Sequence, residues 1–426
     1  MLNFLRSLIS DHNPIRLFYH RIVALVAALI YRSPSKHLRV IAVTGTCGKT
    51  TTCHLIADIL AEAGYKVGMA TTIGFRIGDQ DFVNDTKMTM VGRFAIQRLL
   101  RKMVDSGCTY AVIEVTSHGL IQSRLAGVAI DTAVMTNLTG DHVEYHGGFE
   151  EYKKAKGKLF ALVSRTFRKN GVPKRIFLNR DDPHFDYFNA FSADEKYTYG
   201  VDSTDVFARA TDVHFEDGGS NFKLSGVSMH LNLPGIFNVY NTTAAAAVAL
   251  TEGVSLDVIV RALAKTSGLP GRYEHVLAGQ DFPVCVDYAH TPEALEGLLK
   301  VYRDATKGKL FVVFGSTGGG RDKAKRSVMG KVADEYGDVV IVTDDDPYSE
   351  DHWSIVNDVA RGVSRKEGEN FWKIASRKRA IEYALFLAQK GDCVVIAGKG
   401  CEPVQMIFGE RRKWDDRDIV RTFFAR

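Results

Sequence analysis

The chain has 426 residues, 45% hydrophobic and 25% charged, an ordinary globular composition long enough for two or three domains. With 55 basic against 50 acidic side chains the net charge is only +5, too balanced for a nucleic-acid-binding surface. Six cysteines (Cys47, Cys53, Cys108, Cys285, Cys393, Cys401) lie scattered without a C-x-x-C pair, which argues against a zinc site or a disulfide framework and for a reducing cytoplasm.

The charge surplus is concentrated at the start. Residues 1–40 hold Arg6, Arg16, Arg21, Arg32, Lys36 and Arg39 against Asp11 alone, which accounts for the whole net charge. Within this stretch Ile22–Tyr31 is the longest apolar run, well short of the roughly 20 residues that span a bilayer. Three readings stand: a helix packed on the protein body, an interfacial anchor with basic flanks, or a cleaved leader, although no small-residue cleavage pattern follows.

From Leu38 the pattern changes. Leu38–Thr44 (LRVIAVT) reads as a buried parallel strand, Gly45–Gly48 as a loop, and Lys49–Ala63 as a helix stopped by Gly64. Further strands are expected at Tyr65–Ala70, Tyr110–Val115 and Thr132–Asn137, so strand and helix alternate as in a doubly wound, mostly parallel sheet. Between 201 and 233 polar and apolar residues alternate around Gly218-Gly219, predicting a hairpin excursion on that sheet. Helices follow at Asn238–Glu252 and Leu256–Thr266. A boundary is expected at Gly268-Leu269-Pro270-Gly271, and a second strand–helix series begins, with strands at Val284–Tyr288, Leu310–Phe314, Val339–Thr343 and Cys393–Ala397. The expected division is a helical segment 1–38, an ATP-binding domain 39–269 and a Rossmann-like domain 270–426.

Chemistry first shows in Thr44–Thr52, TGTCGKTTT, set between a strand and a helix. A phosphate needs bare backbone N–H groups, a helix N-terminus and a cation. Gly45, Thr46 and Gly48 supply the loop, Lys49 the charge, Thr50 a hydroxyl suited to Mg²⁺, and Thr51 the next helical N–H. The full phosphate-loop pattern would have glycine where Val43 stands, so this is a shortened form. Glu114 ends a strand, where open α/β sheets face their ligands, and a carboxylate there suits Mg²⁺. Taken alone it reads equally well as a surface acid. Asn137-Leu138-Thr139-Gly140-Asp141-His142 and then Lys156 add polar groups after the next strand.

The ordered segments GTCGKTTT, EVTSHGL, TNLTGDHVEYHG, YKKAKGKLF, GIFNVYN, LPGRYE, DYAHTP, FGSTGGGRDKAKR and AGKGCE resemble the motifs of the Mur ligases, nearest the branch that adds the third peptide residue. The resemblance runs from 39 to 426 and implies a central ATPase domain followed by a Rossmann-like ligase domain. It implies Mg²⁺ on Thr50 and Glu114, and a second Mg²⁺ on His142 and a carbamylated Lys156. It assigns Asn241 to adenine, Arg272 and Asp287 to the nucleotide, and Thr116, Gln122 and Arg124 to a muramoyl-peptide. Arg321, Asp345, Asp346, Tyr348, Gly398 and Glu402 match the amino-acid site. The implied reaction is ATP-dependent amide formation through an acyl phosphate, with Lys49, Lys156, His142 and Arg272 as catalytic groups, in a cytoplasmic monomer with a peripheral membrane contact through residues 1–36.

Three departures accompany the resemblance. The 38 residues before the first strand are too few for the family's UDP-binding domain, so a lipid-linked acceptor is an alternative to a UDP-linked one. Asp345-Asp346-Pro347-Tyr348 stands where diaminopimelate-adding enzymes read Asp-Asn-Pro-Arg, which leaves lysine beside diaminopimelate as the incoming diamino acid. Cys401 replaces a histidine, and Val91 a proline. Rival readings are a related ligase for a non-muramoyl peptide and a catalytically idle nucleotide-binding relative.

Overall fold

A computed structural model describes residues 13–140, 143–216, 218–266, 268–319 and 323–425. They form two compact units. One comprises residues 13–140, 148–232 and 236–266; the other takes in the remainder, chiefly 268–425.

The first unit is built on an eleven-stranded sheet. In chain order the strands are β1 (Arg39–Thr44), β2 (Val67–Ala70), β3 (Gly74–Ile77), β4 (Gln80–Val83), β5 (Tyr110–Glu114), β6 (Thr132–Met135), β7 (Arg175–Asn179), β8 (Glu195–Gly200), β9 (Ala208–Glu216), β10 (Gly219–Leu224) and β11 (Val227–Leu231). Their spatial order is β11-β10-β9-β8-β7-β6-β1-β5-β2-β3-β4. The central strands β2, β5, β1, β6, β7 and β8 run parallel. Continuous apolar runs such as VIAV and AVI are buried on both faces, as a helix-covered parallel sheet requires. The helices Lys49–Glu62 and Ile236–Thr251 pack together, and the fully buried run Ala244–Ala247 lets them approach closely.

One expectation needed correction here. The 201–233 stretch is not a single hairpin beside the sheet. It is a three-stranded antiparallel meander whose β9 pairs in parallel with β8, so it extends the sheet itself. The run Ile22–Tyr31, by contrast, lies in a helix packed on the protein body as expected, Pro14–Ile30, started by Pro14 and capped by the Asn13 side chain.

The second unit carries a six-stranded sheet: β12 (Glu274–His275), β13 (Val284–Asp287), β14 (Leu310–Ser316), β15 (Val339–Asp344), β16 (Phe371–Lys373) and β17 (Cys393–Ala397), in the order β12-β13-β17-β14-β15-β16. All but β12 are parallel to their neighbours. Alternate residues feed two cores: Val312, Phe314, Val340, Val342 and Val395 on one face, Val313, Ile341, Val394 and Ile396 on the other. A short hairpin, β18 (Val404–Ile407) with β19 (Glu410–Lys413), follows.

Register decides where chemistry can gather. Val43 pairs with Glu114 and Thr44 with Met135, so the carboxyl ends of β1, β5 and β6 open at one level. In the second unit Asp287 pairs with Ala397 and Ser316 with Asp344, which sets up a second such edge.

Candidate active site

After β1 the chain turns through Gly45 to Gly48 into the helix Lys49–Glu62. Gly48 occupies the N-cap with φ +80°, and a Cβ there would run into the Asn241 amide. A Cβ on Gly45 would collide with the Thr136 hydroxyl. The loop is pinned from below: Asn137 O accepts from Thr46 N at 2.9 Å, and Asn137 Oδ1 accepts from Cys47 N at 2.9 Å. Lys49 Nζ donates to Thr46 O at 2.6 Å, so its ammonium curls over the loop. No side chain caps this helix, so its dipole faces the loop as an anion site would require. The residue set therefore fits a nucleotide phosphate.

Glu114 is buried at the end of β5 and gathers donors on one oxygen. Its Oε2 accepts from Thr50 Oγ1 at 2.9 Å, from Thr72 N at 2.8 Å and from Thr72 Oγ1 at 3.0 Å. A hydroxyl and a carboxylate presented together at a phosphate loop form the oxygen set that Mg²⁺ takes. Thr72 escaped the sequence reading. The only signal was a polar Thr71-Thr72 pair just past an apolar strand. Thr72 Oγ1 also shares a 3.0 Å hydrogen bond with Thr89 Oγ1, which ties the Met88–Val91 loop to Glu114.

Lys156 is buried on the helix Phe149–Arg165 and reaches the same loop, where Nζ donates to Gly45 O at 2.6 Å and lies 4.6 Å from the Tyr152 ring centre. Tyr152, also missed from sequence, shares a 3.1 Å hydrogen bond with the Thr46 hydroxyl. Thr51 is buried one turn along, and Asn241 Oδ1 accepts from Thr52 Oγ1 at 3.3 Å. Thr50, Glu114, Lys156, Asn241 and the loop thus converge. His142 lies outside the described residues.

Thr116, Gln122 and Arg124 form a second group in this unit. The Thr116 hydroxyl caps the helix Ser117–Ile121 by accepting from Gly119 N at 3.1 Å. Gln122 Oε1 accepts from Arg124 Nη2 at 2.9 Å, and Arg124 Nη1 donates to Met90 O. Arg93, unnoticed in the sequence, donates to Gln122 O at 2.9 Å.

In the second unit Asp287 accepts from Tyr273 N at 2.8 Å and Ala289 N at 2.7 Å, and the Arg272 guanidinium stacks on Tyr288 at 4.5 Å. Burial pushes the Asp287 carboxyl above its ordinary range, while the Arg272 charge and the two N–H groups pull it back. Asp345, Asp346 and Glu402 meet with carboxylate oxygens within 4.8 Å of one another. Lys399, fully buried and overlooked in the sequence, sits among them: Nζ is 2.8 Å from Glu402 Oε2, 3.0 Å from Asp346 Oδ1 and 3.7 Å from Asp345 Oδ1. Burial works against its charge, but the three acids prevail and raise its pKa. Gly398, with φ +114°, leaves room beside Asp345. Tyr348 sits in the left-handed region (φ +53°), its N donating to Met406 O at 3.1 Å. Arg321 lies outside the described residues.

A parallel-sheet unit with a phosphate loop, followed by a Rossmann-like unit with a carboxylate cluster at its strand ends, defines an α/β nucleotide-binding protein. Two family models match the chain: the Mur ligase middle domain over residues 43–249, and the Mur ligase, glutamate ligase domain over residues 271–400. The chain is 43% identical over 409 residues to a UDP-N-acetylmuramoyl-L-alanyl-D-glutamate–2,6-diaminopimelate ligase of Geobacillus thermodenitrificans, covering 94% of this chain and 82% of that one. It is 40% identical over 420 residues to a UDP-N-acetylmuramyl-tripeptide synthetase of a Roseiflexus species, with 95% and 82% covered. Among solved structures, a UDP-N-acetylmuramoyl-L-alanyl-D-glutamate–2,6-diaminopimelate ligase superposes with a TM-score of 0.60 at 35% identity, covering 91% of this chain and 78% of that one. A Mycobacterium tuberculosis folylpolyglutamate synthase complexed with ADP shares the fold at TM-score 0.73 and 18% identity, over 95% and 94% of the two chains. The protein belongs to the Mur ligase family, the ATP-dependent, Mg²⁺-using ligases that form peptide bonds.

Proposed function

We propose that this enzyme adds a diamino acid, L-lysine or meso-diaminopimelate, to the glutamate carboxylate of UDP-N-acetylmuramoyl-L-alanyl-D-glutamate during peptidoglycan synthesis. The observation that carries the reading is Glu114 gathering Thr50 and Thr72 behind a glycine-shaped phosphate loop, in a chain 43% identical to a ligase named for that reaction. It works in the cytoplasm as a monomer, with a peripheral membrane contact through residues 1–36.

A carboxylate is a poor electrophile. ATP supplies the phosphoryl group that activates it as an acyl phosphate, and Mg²⁺, when bound, would supply neutralisation of the charge that moves. The chain's own groups do the rest. Gly45, Thr46, Gly48 and Thr51 bind phosphate through the backbone, and Lys49 adds a positive charge where negative charge builds. Thr50 and Glu114 would hold one Mg²⁺; Lys156, as its carbamate, and His142 would hold another. Asn241, Arg272 and Asp287 orient the nucleotide. Thr116, Gln122 and Arg124 position the acceptor peptide. Asp345, Asp346, Gly398, Glu402, Tyr348 and Arg321 seat the incoming amino acid, whose free amine attacks the acyl carbon and expels phosphate.

The test is phosphate release from ATP with UDP-N-acetylmuramoyl-L-alanyl-D-glutamate, scanning lysine, diaminopimelate and other amino acids, with product mass as a second readout. Release should require both acceptor and one diamino acid, and Glu114→Gln should lower it about a hundredfold or more. Release indifferent to the acceptor would refute the assignment. Mass spectrometry of the intact enzyme under bicarbonate checks Lys156, whose carbamate adds the mass of CO₂.

A further inference from the structure

The helix Pro14–Ile30 is mounted the wrong way round for a soluble protein. Its small side chains, Ala24, Ala27 and Ala28, are the buried ones. It packs against the helix Arg93–Asp105, and Gly127, whose Cβ would come within 2.6 Å of Ala28 Cβ, lets it lie close. Most of the large apolar side chains point away: Ile15, Phe18, Tyr19, Ile22, Leu25, Val26, Leu29 and Ile30 are all exposed, Phe18 by 66% and Leu29 by 74%, whereas Leu17 and Val23 are half-buried. At 3.6 residues per turn they fill one continuous arc of about 140°, with no charged residue inside it. Arg21 borders the arc on one side and Arg16 on the other. Burying such residues is what normally stabilises a helix on a domain, so an apolar arc of this extent marks a binding surface.

Charge identifies the occupant. The helix has no carboxylate, and the neighbouring helix Arg93–Asp105 contributes Arg93, Arg98, Arg101 and Lys102 against Asp105. A second copy docking arc to arc would bring arginines from both molecules to the seam with no acid on either helix to meet them. An anionic bilayer meets both demands at once, with acyl chains for the arc and headgroups for the arginines at its edges. No helix among the described residues is long and apolar enough to cross a membrane, so the contact lies in the plane of the interface.

We infer that this helix beds its Ile15–Phe18–Ile22–Val26–Leu29 face into the headgroup boundary of an anionic lipid bilayer and holds the ligase there. This deepens the proposed peripheral contact by naming its face and lipid chemistry, and it does not depend on which amino acid is added.

The test is co-sedimentation of the full chain with vesicles of phosphatidylglycerol and phosphatidylcholine, against phosphatidylcholine alone, at low and raised salt. Binding should be about tenfold or more tighter on the anionic vesicles and should weaken with salt. The double variant Phe18→Glu, Leu29→Glu should lose about tenfold or more in vesicle affinity, with unchanged helix content and unchanged ligase turnover in solution. Three results overturn the inference: a dimer dissociated by the same variant without vesicle binding, a monomer that binds neither vesicle, and equal binding to both vesicle types. Ligase turnover assayed without lipid separates the two readings. Product formation without vesicle binding refutes the membrane face alone, and vesicle binding without product refutes the ligase assignment alone.

Discussion

Replacing Lys399 with methionine tests whether the acid cluster of the second unit is held together by one internal cation. Methionine keeps most of the stem volume and removes only the charge. In the native protein that charge lies 2.8, 3.0 and 3.7 Å from the carboxylates of Glu402, Asp346 and Asp345. Without it, three carboxylates with oxygens within 4.8 Å of one another would lose the cation they share, Asp346 keeping the hydrogen bond from Met406 N at 2.8 Å. At an effective dielectric near 20, each such repulsion is worth about 3–4 kcal/mol before relaxation. Movement of Glu402, the most exposed of the three, and protonation of one acid relieve part of this. The expected loss of stability at neutral pH is therefore about 3–5 kcal/mol, the range found when one partner of a buried ion pair is removed. The sign of the pH dependence follows: in the variant the acids take up protons more readily folded than unfolded, so its deficit should shrink as pH falls below about 5. Urea unfolding, followed by a probe in residues 268–425, measures both quantities. A deficit below about 1 kcal/mol at neutral pH, or one that does not change with pH, would refute the reasoning.

Further expectations rest on single positions. Gly48→Ala should weaken ATP binding and destabilise the first unit by about 1–3 kcal/mol, because the new methyl meets the Asn241 amide at a positive φ; calorimetric titration with ATP and thermal melts check it, and unchanged affinity would count against the loop's geometry. His54 is buried on the phosphate-loop helix, which lowers its pKa from 6.5 to about 4. The unfolded chain protonates first, so up to about 3 kcal/mol of stability present above pH 6.5 should drain away between pH 6.5 and 4; an unfolding free energy whose slope in that window is unaltered by His54→Gln would contradict this. Gln97 is completely buried with neither amide atom hydrogen-bonded among the described residues. Gln97→Leu should stabilise the protein by about 1–2 kcal/mol, and a lower melting temperature would show that the amide has a partner after all.

Much of the site could be read from local sequence, for a physical reason. Phosphate binding needs contiguous backbone, so Gly45, Gly48, Lys49 and Thr50 lie within six residues and declare themselves by spacing. Glu114 was legible because the apolar run YAVIE ends on an acid, and in a parallel sheet that end faces the ligand, whereas Asp287 came only through the family resemblance of DYAHTP. Strand interiors and the doubly wound class followed from the same hydrophobic runs. The groups that were missed, Thr72, Tyr152, Arg93 and Lys399, act mainly across space, although Lys399 also pairs with Glu402 three residues on. Thr72 reaches an acid 42 positions away and Lys399 one 53 positions away, and no local pattern encodes such a pairing.

The sequence by itself determined the two sheet-and-helix series, the phosphate loop and the basic bias of the first forty residues, because these depend on neighbours along the chain. Only the tertiary structure decided that the 201–233 stretch joins the main sheet through β8, since strand pairing is set by contacts remote in sequence. It also decided that the Pro14–Ile30 helix turns its alanines inward and most of its large side chains out. The sequence shows an apolar helix, but which face is buried depends on whether the surface beneath accepts small side chains or large ones, and Gly127 accepts small.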